Sequence, residues 1–172
     1  MAETWEKVVY EADYDKGRRA ILTPSGAIVP ASGGAEQKQV NGTNFQYYVL
    51  AFDKDTEESA FWELILPDDY DGGPISINLW WKSSATEGDA IFKVQVLGRE
   101  EGETLDSALG DAQNVTDTTP ASAGNIAVCA PSAFSPGWSA GDYVVIKLAR
   151  DATNGSDTLA VDAEVIMVVV EY

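Results

Sequence analysis

Twenty-eight aspartates and glutamates, eleven lysines and arginines, one cysteine and no histidine set most of the chemistry open to these 172 residues. Without histidine there is no ordinary general base at neutral pH, no Ser-His-Asp or Cys-His relay, and no histidine-ligated zinc or iron. Cys129 excludes an intrachain disulfide and thiolate metal clusters by being alone. Within Ile126-Ala127-Val128-Cys129-Ala130 it reads as a small buried apolar side chain. No glycine-rich phosphate loop opens a helix pattern. A pair of carboxylates could still hydrolyse a glycoside, but with 28 acids such a pair can be drawn almost anywhere. The chain reads as non-enzymatic.

Two carboxylate clusters have the hard oxygens that calcium takes. Asp68, Asp69 and Asp71 lie in the turn Pro67–Pro74, and Asp151, Asn154 and Asp157 in the turn before the last apolar run. Neither has EF-hand spacing, and Asp, Asn and Gly are also the residues turns prefer. The reading therefore requires no cofactor, and calcium is the ion these clusters would take. The aromatics offer a second kind of chemistry. Trp80, Tyr47 and Phe61 each fall on the strand face opposite their core-facing neighbours. Outward aromatics stack on sugar rings or pack against an arm or a partner chain.

The charge balance narrows the partners. A formal net charge of −17, with no basic patch, repels phosphate and anionic lipid, so neither nucleic acid nor a membrane surface is an expected partner. The start, Met1-Ala2-Glu3-Thr4-Trp5-Glu6, is polar and lacks a signal-peptide pattern. Synthesis in the cytoplasm is expected, with later export inside a particle compatible with it. Length and a 45% hydrophobic composition suit one domain able to bury its own core.

The side chains that carry these roles must be positioned by strands. Ile75, Ile77, Leu79 and Trp81 alternate with polar residues, as do Phe92, Val94 and Val96. That period of two predicts half-buried strands over 75–82 and 90–97, joined as a hairpin by the turn 83–89. Further strands are expected over 45–53, 60–66, 113–118, 125–130, 143–150 and 163–172, with one helical turn at 104–109. Eight strands separated by polar turns make an all-β fold, an eight-stranded antiparallel sandwich of jelly-roll type over 44–172. Residues 1–43 are rich in breakers and read as an extended N-terminal arm with short strands at 6–12 and 19–23. In the last strand Val165, Met167 and Val169 form one apolar face, and Ile166, Val168 and Val170 form another. The second face is expected to lie under the arm or against a neighbouring subunit.

The phrasing Trp80-Trp81-Lys82-Ser83-Ser84-Ala85-Thr86-Glu87-Gly88-Asp89, with Leu109–Asp117, Ala140-Gly141-Asp142-Tyr143 and Ala149-Arg150-Asp151, resembles jelly-roll proteins of the tailed-phage virion surface. The likeness covers roughly 60–172 and is one of fold rather than of catalytic residues. It implies a capsid decoration (cement) protein: a homo-oligomer, commonly a trimer, bound to the phage major capsid protein on the outside of the virion. The alternative expectation is a glycan- or receptor-binding jelly-roll module, from a phage tail fibre or a carbohydrate-binding domain.

Overall fold

A computed structural model describes residues 18–172; the strand expected at 6–12 lies outside that range. Ten strands follow in order: β1 (Arg19–Leu22), β2 (Glu36–Asn41), β3 (Gln46–Phe52), β4 (Glu58–Ile65), β5 (Ser76–Lys82), β6 (Asp89–Arg99), β7 (Gln113–Thr118), β8 (Ala127–Cys129), β9 (Tyr143–Arg150) and β10 (Ala163–Glu171). They form two antiparallel sheets. One runs β2-β3-β10-β5-β8 with β1 also on β10, and the other runs β4-β9-β6-β7. The result is a jelly-roll sandwich. The segment 104–109 holds a bend at Leu105-Asp106 and otherwise irregular chain rather than a helical turn.

The core lies between the sheets, and the period-two reading finds its inward residues. Ile77, Leu79 and Trp81 of β5, Trp62 of β4, Phe92 and Val94 of β6, and Val144, Ile146 and Leu148 of β9 are all buried there. Each fully buried large side chain contributes about 1.5–3 kcal/mol. The two indole N–H groups in the core are satisfied: Trp81 Nε1 donates to Asp117 Oδ2 at 2.8 Å and Trp62 Nε1 to the Thr23 carbonyl at 2.9 Å.

Three expectations need correction. The first is the hairpin. β5 pairs with β10 and β8, while β6 pairs with β7 and β9 in the other sheet. The link 83–88 therefore crosses the sandwich. A buried Ser83–Thr119 hydroxyl bond of 2.7 Å holds it, and Gly88 (φ +106°) lets it pass where a Cβ would come within 2.9 Å of Leu159 Cα. Trp81 of one sheet and Phe92 of the other meet edge-to-face across the core, with centroids 5.4 Å apart.

The second is the last strand. Val165 pairs with Trp81 and Met167 with Trp80, so two steps along β10 match one along β5. This bulge inserts Ile166 and reverses the alternation beyond it. Val168 and Val170 consequently point into the core with Val165, and only Ile166 of the expected interface trio stays half-buried outside it. The third is the arm. β1 pairs with β10 and β2 with β3, and Ala35 is buried in the common core with Ala20, Leu22 and Val29 packed against it. Residues 18–43 thus belong to the sandwich, and the expected boundary at 43/44 falls inside the β2–β3 hairpin. Within the described part of the arm, β1 extends the sheet beside β10 rather than lying across it.

One core residue is a cation. Arg150, at the inward end of β9, is fully buried against Asp157. Its Nε and Nη2 donate to the two carboxylate oxygens at 3.0 and 2.8 Å, and the remaining N–H groups reach the carbonyls of Leu159, Val161 and Phe52. Arg150→Ala leaves a buried carboxylate without its counter-charge and takes a donor from three carbonyls, so a loss of about 3–5 kcal/mol is expected in urea denaturation. The bulge has its own signature. Val168→Ala is expected to cost about 2 kcal/mol and Ile166→Ala under about 1 kcal/mol; equal losses would place both on the same footing.

Candidate functional site

The residues marked in the sequence are dispersed by the fold. Trp80 and Tyr47 stand on the outer face of the larger sheet, Trp80 on β5 and Tyr47 on β3, with β10 between them. Phe61 stands on the outer face of the smaller sheet, where the Lys147 ammonium sits 5.9 Å from its ring centroid and Ile28 bridges its backbone. The three therefore cannot form one sugar platform. Tyr47 lies beneath the Lys82 ammonium at 5.7 Å, and Lys82 is paired with Glu164.

The carboxylate clusters act as turn chemistry. Asp69 pairs with Arg18 at 3.1 Å, and Asp71 Oδ1 accepts the Gly73 N–H at 2.9 Å. In the second cluster Asp157 is committed to Arg150, and Asp151 accepts from Asn154 and pairs with Lys93 at 3.4 Å. That corrects the second calcium reading, because a carboxylate already neutralised by a buried guanidinium has no charge left for a cation. Among the described residues no three or more His, Cys, Asp or Glu side chains gather as a metal would need. Cys129 faces inward from β8, where burial and the Asp117 carboxylate push its thiol up to about 12. It is therefore a protonated, unreactive thiol at neutral pH.

Concavity lies elsewhere, at the open end of the sandwich. After β8 the chain returns to the smaller sheet through 130–142. Phe134 and Ile75 exchange two backbone hydrogen bonds of 2.8 Å, which stitch this loop to the start of β5. Past Pro136 and Gly137 the chain lays Trp138 over Gly98, near the end of β6. A Cβ at Gly98 would sit inside van der Waals contact with indole Nε1, Cε2 and Cδ1, so only glycine permits the seating. The opposite wall is the loop 100–112, clasped to β6 by Gly110 N–H to the Val96 carbonyl at 3.0 Å and by the Gln95 amide to the Gly110 carbonyl at 3.0 Å.

Between these walls is a cleft of about 430 Å³, floored by Val96 and Gly98 and flanked by Asp111, Gln113, Ser135 and Trp138. On the far flank of Trp138 a second recess of about 280 Å³ is lined by Arg99, Glu103, Ser139 and Asp142. Glu103 accepts from the Glu100 N–H at 3.1 Å and from Arg99 at 3.3 Å, and these hold its carboxyl below the usual carboxylate range. Arg99 Nε is buried without a partner. An indole beside carboxylate, carboxamide, hydroxyl and guanidinium groups can hold a small polar ring: its C–H face against the indole, its hydroxyls on the polar rim. Sequence reasoning passed over Trp138, since it sits in no strand. The signal was a tryptophan directly after Pro136-Gly137, held half-buried against the end of the core by a loop rather than by a strand.

No family model matches the sequence, and no curated protein matches it. In three dimensions the chain is similar to a family 35 carbohydrate binding module from Clostridium thermocellum, with TM-score 0.53 at 12% identity over 89% of this chain and 97% of that one. It is also similar to a CBM35 from Cellvibrio japonicus Abf62, with TM-score 0.50 at 9% identity over 89% and 92% of the two chains. Fold and comparison agree on the class: a jelly-roll β-sandwich, shared with carbohydrate-binding modules.

The Gly98–Trp138 contact sets the geometry of the cleft and can be broken singly. In Gly98→Ala the indole, being at the tip of a loop, is expected to swing outward while the sandwich stays folded. The Trp138 indole N–H resonance would move to its solvent-exposed position, with a stability loss of about 1–3 kcal/mol; an unmoved resonance would mean that the indole is not held against Gly98.

Proposed function

We propose that the protein is a non-catalytic binding module that takes a glycan in the cleft beside Trp138. The observation that carries this is the indole seated on a glycine floor at the mouth of the sandwich, with Asp111, Gln113 and Ser135 around it. The similarity in fold to carbohydrate-binding modules supports the reading. Binding without turnover fits the titration behaviour. A general acid for glycoside cleavage is a carboxyl whose pKa is raised, and Glu103, in the recess on the far flank of Trp138, is shifted downward. Among the described residues the carboxyl shifted upward is Glu58, which burial raises, and it accepts the Asp53 N–H at the start of β4.

A second reading is the decoration of a phage capsid exterior, with the major capsid protein as partner. It is supported by the apolar outer face of the larger sheet, where Ile21, Trp80 and Val128 are exposed. The two readings use different surfaces and separate in one experiment.

On a glycan array followed by titration calorimetry, the protein is expected to retain at least one polysaccharide class. Trp138→Ala and Gln113→Ala should each weaken that binding tenfold or more, about 1.4 kcal/mol, whereas Trp80→Ala leaves it unchanged. Retention of no glycan by folded protein would sink the first reading, and loss on Trp80→Ala alone would move the site to the sheet face.

A further inference from the structure

We infer that the outer face of the larger sheet is a self-association surface, on which a second copy of this chain packs sheet against sheet. The face is apolar in a continuous band that the strand register defines. Ile21 of β1 lies beside Val169 of β10; Met167 of β10 lies beside Trp80 of β5; Trp80 lies beside Val128 of β8. Ile21, Trp80 and Val128 are 56%, 40% and 48% exposed, Met167 is half-buried and Val169 is 7% exposed, so most of the band faces solvent although it has the composition of an interior. Aliphatic side chains, methionine and one tryptophan on a flat surface suit a protein partner better than a sugar, whose hydroxyls need polar groups around the ring.

Charge identifies the occupant. The outward-facing ionisable groups of these strands are Arg19, Lys38 and Lys82 against Glu36, Glu164 and Glu171, three of each sign. Arg19 pairs with Glu171, and both Lys38 and Lys82 pair with Glu164. The face therefore carries a net charge of 0 on a molecule of −17. Two copies of so acidic a chain repel each other in most orientations, and a neutral face is where they meet at least cost. A basic partner would instead seek an acidic face. The size is adequate: five strand positions about 4.8 Å apart and about seven residues long give on the order of 550 Å² per copy in projection. Doubled, that passes the roughly 1,000 Å² expected of a specific contact. Two flat sheets stacked about 10 Å apart reproduce the packing found inside a sandwich. One face used twice makes a closed, twofold dimer.

Sedimentation velocity on the full chain tests this. A dimer is expected at tens of micromolar, and its association should strengthen as salt rises from about 50 to about 500 mM, because screening relieves the repulsion between the acidic bodies. Trp80→Glu and Val128→Glu, both directed outward, should each weaken association at least tenfold while the thermal unfolding midpoint stays within a few degrees of the parent. A monomer throughout, whether because residues 1–17 cover the band or because nothing does, overturns the inference. So does a dimer that survives both substitutions, since its contact would lie elsewhere.

Discussion

A guanidinium buried between two apolar sheets cannot be left with an open donor, and this requirement organises one whole end of the molecule. Arg150 answers it with Asp157 and three carbonyls, and those partners come from different parts of the chain. Phe52 belongs to β3 in the larger sheet, while Arg150 belongs to β9 in the smaller one. Leu159 and Val161 lie on the approach to β10. Asp157 also accepts the Ile91 N–H of β6 at 3.0 Å. A single charge pair thereby joins both sheets and the connection between them. It is costly to desolvate, so its contribution lies less in net stability than in admitting only one arrangement of these segments.

The other end of the sandwich is closed differently, and function enters there. Phe134 and Trp138 plug the opening with ring surface instead of charge, and they leave a cleft because two loops cannot fill the gap between β6 and β5 completely. The molecule thus presents two surfaces of opposite character. The cleft is concave, polar-rimmed and small; the outer face of the larger sheet is flat, apolar and uncharged overall. Selection for a small hydroxylated ligand and for a broad protein partner would act on separate residues, so neither constrains the other.

Much of this was legible in alternation alone. The inward sets Ile77-Leu79-Trp81 and Val144-Ile146-Leu148 appear where a period of two puts them, because each strand has one wet side and one dry side. Alternation does not say which strand lies alongside which, so a seven-residue link between two good strands looked like a hairpin when it crosses the core. β2 was invisible because Glu-Gln-Lys-Gln-Val-Asn sits at an edge with little apolar surface to bury. β10 was read with the wrong parity because a bulge leaves no mark in a run that is apolar at every position. Arg150 broke the pattern at an inward site, and only the distant carboxylate explains it. The cleft escaped for a related reason: Gly98 and Trp138 are 40 positions apart, and nothing local in either announces the other.

β10 sits in the interior of the larger sheet, with β1 and β3 along one edge and β5 along the other. Of the strands in this sheet it is also the last to leave the ribosome. During synthesis β1, β3 and β5 must wait, unpaired along those edges, until Glu171 has emerged, and their apolar faces meanwhile have no lasting partner. The strands of the smaller sheet are all made by Arg150, so their backbone pairing can form first, with the Arg150 guanidinium waiting for Asp157, Leu159 and Val161. The order of birth therefore makes one layer a template and the other a latecomer, closed by a strand that threads between neighbours made long before it.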